Sequence, residues 1–160
     1  MQEKKIEFHY TEYADLSELE SADIKLVQAA VNIAEKAYAK YSGFSVGAAV
    51  RLKNGTIVTG NNQENAAYPS GMCAERVALF YANAQYPDEP VEALAVVAKN
   101  HNVLVDTPTA PCGACRQVIL ETEVRFNQPM RIILVGKDNI IVISGVKELL
   151  PLSFDFHAFK

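Results

Sequence analysis

The sequence predicts an α/β fold, a three-layer α/β/α sandwich around a mixed, roughly five-stranded sheet. Three observations carry that expectation. An amphipathic helical pattern lies near the start, an Asn-Gly hairpin signal follows it, and helical runs then alternate with strands that are apolar on both faces.

Taken in order, residues 1–20 are rich in charge and weakly patterned, and read as an N-terminal extension of unknown role on a single domain covering residues 1–160. Ser21 and Asp23 offer helix N-terminus chemistry. Behind them Ile24, Val27, Val31, Ala34, Tyr38 and Tyr41 recur at helical spacing and predict one apolar face of a long helix. Phe44 to Leu52 and Thr56 to Gly60 flank Asn54-Gly55 and predict a hairpin. An Asn-rich loop runs from Asn61 to Met72, and a helix is expected from Cys73 to about Ala84, closed by Pro87 and Pro90. Val91 to Lys99 is nearly all apolar without alternation, which predicts a strand buried on both faces. A loop ends at Pro111, Cys112 to Val124 reads as a helix, Met130 to Gly136 as another buried strand, and Ile140 to Ser144 as a strand after the turn Lys137-Asp138-Asn139. A short helix is expected near residues 146–150. The hairpin gives the sheet an antiparallel start, and the helix between two buried strands gives it a parallel middle.

Composition narrows the function classes. Hydrophobic residues make up 49% and charged residues 21% of the 160, ordinary for a folded globular chain. The formal net charge is −4 and the basic residues are scattered, so no polynucleotide partner is expected. Met1-Gln2-Glu3-Lys4-Lys5 leads into no apolar segment and the apolar runs are short, so neither a secretory signal nor a membrane partner is expected. Three cysteines argue against a disulfide framework and for a reducing, cytoplasmic setting.

All the cysteines fall in two motifs, Cys73-Ala74-Glu75 and Pro111-Cys112-Gly113-Ala114-Cys115, each opening a predicted helix. The Cys112/Cys115 step sets both sulfurs on one helical face, close enough to share an ion. Cys73 and Glu75 are two apart, a spacing that diverges in mid-helix but converges on something beyond a helix's first turn. The positive end of that helix would favour the Cys73 thiolate. Three protein donors and an open position are what a catalytic zinc keeps, because the remaining place serves the reacting water. Three other readings stand beside this one: a redox pair at Cys112 and Cys115, a structural zinc closed by His101, and cysteines as small core residues. His9, His101 and His157 have no zinc-finger spacing with the cysteines and read as ordinary surface or tail histidines.

Cys73-Ala-Glu75-Arg76 followed by Pro111-Cys-Gly-Ala-Cys-Arg-Gln117 resembles the signature of the zinc nucleoside deaminases, and the finer match is to cytidine deaminase of the short, tetrameric type. Tyr41-Ser-Gly-Phe44-Ser-Val-Gly-Ala-Ala49, Gly60-Asn-Asn62-Gln-Glu64-Asn65-Ala66-Ala-Tyr68 and Leu149-Leu-Pro-Leu-Ser-Phe154 extend that resemblance across residues 24–154, in the family's order. Lys40 stands where the family often has proline, and residues 1–20 and the tail after Phe154 match nothing in it.

The resemblance implies hydrolytic deamination of cytidine and deoxycytidine to uridine and deoxyuridine, with one zinc per subunit held by Cys73, Cys112 and Cys115. It implies that Glu75 shuttles protons and that Arg76 offsets the charge of the thiolates by donating hydrogen bonds to them. It places Phe44 and Ala74 at the base, and Asn62 and Glu64 at the sugar's 3′ hydroxyl. It further implies a homotetramer with shared active sites, in which Ala66 and Tyr68 reach a neighbour's pocket and Phe154 stacks on the pyrimidine across the interface. Two other functions are weighed: a relative acting on another aminopyrimidine nucleoside or on polynucleotides, and a non-enzymatic zinc module used in assembly.

Overall fold

Thr11–Tyr13 form strand β1, inside the segment where the sequence pattern is weak, and pair antiparallel with β7 (Ile140–Ser144) at the edge of the sheet. Helix α1 spans Ser21–Ala34 and buries Leu26, Val27, Ala30 and Ala34. It is shorter than the periodicity predicts. Past Ala34 the backbone finds partners outside the helix: Tyr38 N–H donates to Asn62 O at 3.0 Å, and Tyr38 O accepts from Glu64 N–H at 2.9 Å. Tyr38 and Tyr41 therefore leave the predicted apolar face and stand about half exposed.

Strands β2 (Phe44–Leu52) and β3 (Ile57–Asn61) form the expected hairpin, with Gly55 at φ +85°, a region the Asn-Gly turn requires. Helix α2 covers Ala74–Gln85 and strand β4 Val91–Asn100. The two-residue strand β5 (Val103–Leu104) folds back on β4 through His101 and Asn102, both at positive φ, in a turn no Asn-Gly pair announced. Helix α3 (Gly113–Phe126) then carries the chain to β6 (Arg131–Val135), which runs parallel to β4, and β7 returns antiparallel. The sheet order is β1-β7-β6-β4-β2-β3, with β5 on β4. Seven strands replace the expected five because β1 and β5 are too short to leave a periodic signal; the remaining five are those predicted. The structure, a computed structural model, describes residues 1–159, and the side chains of His157 and Ala158 lie outside the described set, as does the expectation for His157.

Strand periodicity divides the interior in two. Ala48, Val50, Leu94, Val96, Ile132 and Leu134 face α2 and α3 through Ala78, Leu79, Ile119 and Leu120. Ala49, Ala93, Ala95, Val97, Ile133 and Val135 face α1 through Leu26, Val27 and Ala30. The sheet is thus covered on both faces, with α2 and α3 sharing one. A Cβ on Gly60 of β3 would lie 2.5 Å from Ala78 N and 2.7 Å from Ala74 O, so this glycine is what lets the start of α2 rest on the sheet.

Asp23 does more than favour a helix N-terminus. It is 1% exposed, and its carboxylate pairs with Arg51 of β2 at 2.8 Å and Arg131 of β6 at 2.7 Å, tying α1 to two strands. Among the described residues no helix is long and apolar enough to cross a membrane.

Candidate active site

Cys73 and Cys112 are the N-cap residues of α2 and α3, both in extended backbone, and Cys115 sits on the first turn of α3. Because the two helices share a face of the sheet, their N-termini bring the motifs together. The Cys73 and Cys112 sulfurs are 3.9 Å apart, those of Cys112 and Cys115 3.4 Å, and all three lie within 4.8 Å of one another. Sulfurs around a tetrahedral zinc with bonds of about 2.3 Å stand about 3.8 Å apart, so the spacing fits. Thiolates are soft donors that suit zinc, and the group formed by Cys73, Cys112 and Cys115 fits a zinc site.

Among the described residues no histidine or carboxylate joins this group. His101 lies in the β4–β5 turn with its ring against Gly43, where three ring atoms come within 2.6–3.3 Å of the place a Cβ would occupy. It does not close a structural site. His9 is on the N-terminal arm, its backbone N–H donating to Glu148 at 2.7 Å. The three donors leave a tetrahedral ion one position for water or substrate.

The surroundings favour negative charge on sulfur. Both helix N-termini direct their positive ends at the centre. Arg76 Nη2 donates to Cys73 Sγ at 3.6 Å, and Arg76 Nε is buried without a hydrogen-bond partner. The Cys115 thiol, with Arg76 and Cys112 behind it, holds Cys73 down to about 5 against the effect of burial. Cys115 is pushed the other way by its hydrogen bond with Cys73, by burial and by the charge of Glu75.

Glu75, on the first turn of α2, is 5% exposed. Burial raises its carboxyl above the ordinary value, and the neighbouring Cys73 charge adds to the rise against its own backbone N–H. A carboxyl so placed holds its proton more tightly than one in water.

A cavity of about 460 Å³ opens beside the thiol group, lined by Tyr41, Ser42, Asn62, Glu64, Tyr68, Cys73 and Arg76 among others. Cys73 belongs to both the sulfur group and the cavity wall. The Asn62–Glu64 segment is held there from two sides, by Tyr38 and by paired hydrogen bonds of 2.9 Å between Gln63 and Met72. The side chains of this segment are engaged within the chain. Asn62 Oδ1 accepts from Val46 N–H at 2.7 Å and its Nδ2 donates to Phe44 O at 2.9 Å, anchoring the start of β2. Glu64 accepts from Tyr41 N–H at 2.7 Å and from the Ser42 hydroxyl at 2.5 Å, and these bonds hold its carboxyl below the ordinary range.

Phe44, Ala66, Ala74 and Phe154 are not among the residues lining this cavity. Phe44 is half-buried at the start of β2, Ala74 is fully buried under the first turn of α2, and Ala66 is exposed in the loop. Tyr68 is 78% exposed, with its ring edge-on to Tyr41 at 6.4 Å. Phe154 is also exposed, on the tail, where its carbonyl accepts from Gln117 Nε2 at 2.8 Å. Sequence reasoning gave Ser42 no part of its own. The available signal was Ser42-Gly43 before Phe44, a turn in which the hydroxyl accepts Phe44 N–H at 3.0 Å while donating to Glu64.

Residues 20–128 match the sequence model of the cytidine and deoxycytidylate deaminase zinc-binding region. The chain is 46% identical over 129 residues to a cytidine deaminase of Halalkalibacterium halodurans, covering 81% of this chain and 91% of that one. It is 42% identical over 130 residues to a cytidine deaminase of Sporosarcina psychrophila, covering 81% and 89%. Among solved structures, cytidine deaminase from Burkholderia pseudomallei superposes with a TM-score of 0.70 at 41% identity, covering 81% of this chain and 97% of that one.

Proposed function

Since the chain belongs to the cytidine and deoxycytidylate deaminase family, we propose that it hydrolyses cytidine and deoxycytidine to uridine and deoxyuridine with release of ammonia. The observation that carries this reading is the double membership of Cys73, which belongs both to the group of three thiols that fits zinc and to the wall of a cavity of about 460 Å³.

When bound, zinc supplies a Lewis acid able to make water a nucleophile near neutral pH. The remaining work falls to the chain. Glu75, buried with a raised pKa beside Cys73, accepts a proton from the attacking water and delivers it to N3, which makes C4 electrophilic. Oxygen adds to C4, Glu75 takes the second proton from the new C4 hydroxyl and passes it to the 4-amino group, and the C4–N bond breaks as C4=O forms, freeing ammonia. Arg76, hydrogen-bonded to Cys73, draws charge from the thiolates and so preserves the acidifying power of the site.

Asn62 and Glu64 hold the sugar's 3′ hydroxyl. Support comes from their place on the cavity wall and from spare capacity, since Asn62 Nδ2 carries a second N–H and Glu64 further lone pairs. Phe44 and Ala74 border the base. Ala66, Tyr68 and Phe154 complete a neighbour's site in a homotetramer; the exposure of Tyr68 and Phe154 at 78% and 61% supports a role between subunits. The single domain covers residues 1–160 with residues 1–20 as its extension, and the enzyme works in the cytoplasm on free nucleosides, in keeping with its net charge of −4.

The test is a substrate panel read alongside zinc content. Turnover of cytidine and deoxycytidine, followed by the ultraviolet change and by ammonia, is expected from zinc-loaded protein. Protein that holds zinc yet turns over neither nucleoside overturns the reading.

A further inference from the structure

Arg116 holds the backbone on both sides of Cys112. Its own N–H donates to Cys112 O at 2.9 Å, the first hydrogen bond of α3, and its Nε donates to Pro111 O at 2.8 Å. Of the three sulfur donors, Cys112 is the exposed one, so neighbouring side chains restrain it least and its backbone matters most. The other arm of the same guanidinium, Nη1, donates to Leu149 O at 2.8 Å. The next residue, Gln117, donates from Nε2 to Phe154 O at 2.8 Å. Two consecutive residues of α3, directly after Cys115, thus clasp the segment 149–154.

We infer that Arg116 is a positioning residue for Cys112, and that through it zinc retention depends on the docking of segment 149–154. The guanidinium is rigid and planar, so seating one donor on Pro111 O orients the other toward Leu149 O. Loss of the segment leaves part of that fork without its protein acceptor and loosens the peptide that presents Cys112. Linkage makes the dependence reciprocal: whatever docking adds to zinc affinity, zinc adds to docking. The inference rests on the metal centre and not on which nucleoside is turned over.

The test measures zinc transfer from the loaded protein to a chromogenic chelator, with no nucleoside present. Arg116→Ala is expected to release zinc about 10–100-fold faster than the parent, the range for groups that orient metal ligands. Arg116→Lys, which can serve one acceptor but not both, should fall between them. Arg125→Ala is the matched control, because Arg125 donates to Pro87 O from the far end of the same helix and lies away from the centre; its release rate should equal the parent's. If Arg116→Ala does not fold, Arg116→Lys is compared with the control instead. Hydrogen exchange on the parent protein gives the reciprocal readout, with the Leu149 and Leu150 amides, which donate to Val146 O at 2.8 and 2.9 Å, losing protection when zinc is removed. Release from the Arg116 variant at the control rate, or equal protection of the Leu149 and Leu150 amides with and without zinc, overturns the inference. Inactivity toward cytidine with these zinc results intact would instead count against the proposed function alone.

Discussion

Arg76 and Cys73 are joined by a hydrogen bond of 3.6 Å from Nη2 to Sγ, across the turn that also carries Glu75. A dication held by three thiolates retains surplus negative charge, which opposes the acidification of water that hydrolysis needs. Arg76→Gln removes the compensating cation and leaves a shorter, neutral donor. A hydrogen bond to a charged group contributes about 1.5–3 kcal/mol, so kcat should fall about 10–100-fold. The check is kcat against zinc content, with the loss expected in protein that is still fully loaded.

Glu75→Gln keeps the shape of the buried side chain and removes its basicity. Activity should drop by about 10²–10⁴-fold, the usual worth of a positioned acid–base group, while zinc remains at its parental stoichiometry. Elemental analysis and a single-turnover assay on the same preparation decide it. Full activity in this variant would mean that the protons travel by another route.

Glu123 gives a pH prediction away from the metal. Burial raises its carboxyl above the ordinary 4.5, against hydrogen bonds that it accepts from Met130 N–H and Val146 N–H, both at 2.9 Å. A raised acid is fully compatible with the fold below its unfolded pKa, and the fold loses stability as pH rises through the elevated value. Glu123→Gln can still accept both hydrogen bonds and never ionises. Its Tm should therefore exceed the parent's near pH 7, with the difference vanishing below about pH 4. Thermal melts at the two pH values measure this.

Asp23→Ala strands Arg51 and Arg131, whose side chains are 18% and 35% exposed and face one carboxylate. Breaking a buried pair from one side destabilises by about 3–5 kcal/mol. Urea unfolding should show that loss, with kcat of the remaining folded protein unchanged, since Asp23 lies on the face of the sheet opposite α2 and α3.

Much of this was legible in local sequence because local forces decide it. Residues 44–52 and 140–144 read as strands and are strands, since apolar β-rich runs bounded by turns have no better use. The metal site was legible because chelation demands thiols at fixed spacing, and the two-residue gap from Cys73 to Glu75 pointed to a helix end. What escaped depends on distant partners. Tyr38 and Tyr41 fit a helical period, yet the backbone of Asn62 and the loop around Glu64 claimed the chain first. Asp23 looked like a helix start, and only the packed sheet shows the two arginines waiting for it. Arg116 sits in a recognised motif, but nothing local says that its guanidinium will reach Leu149.

The short strand β1 has a bearing on how these molecules meet one another. Ile140, Ile141, Val142 and Ile143 form an apolar β-rich run, and without Thr11–Tyr13 its outer backbone donors and acceptors would stand open as the rim of the sheet. An open rim of this kind recruits the matching strand of another molecule and seeds fibrils. Thr11–Tyr13 covers that rim, and a chain shorn of its first fifteen residues should cloud on warming before the intact one does.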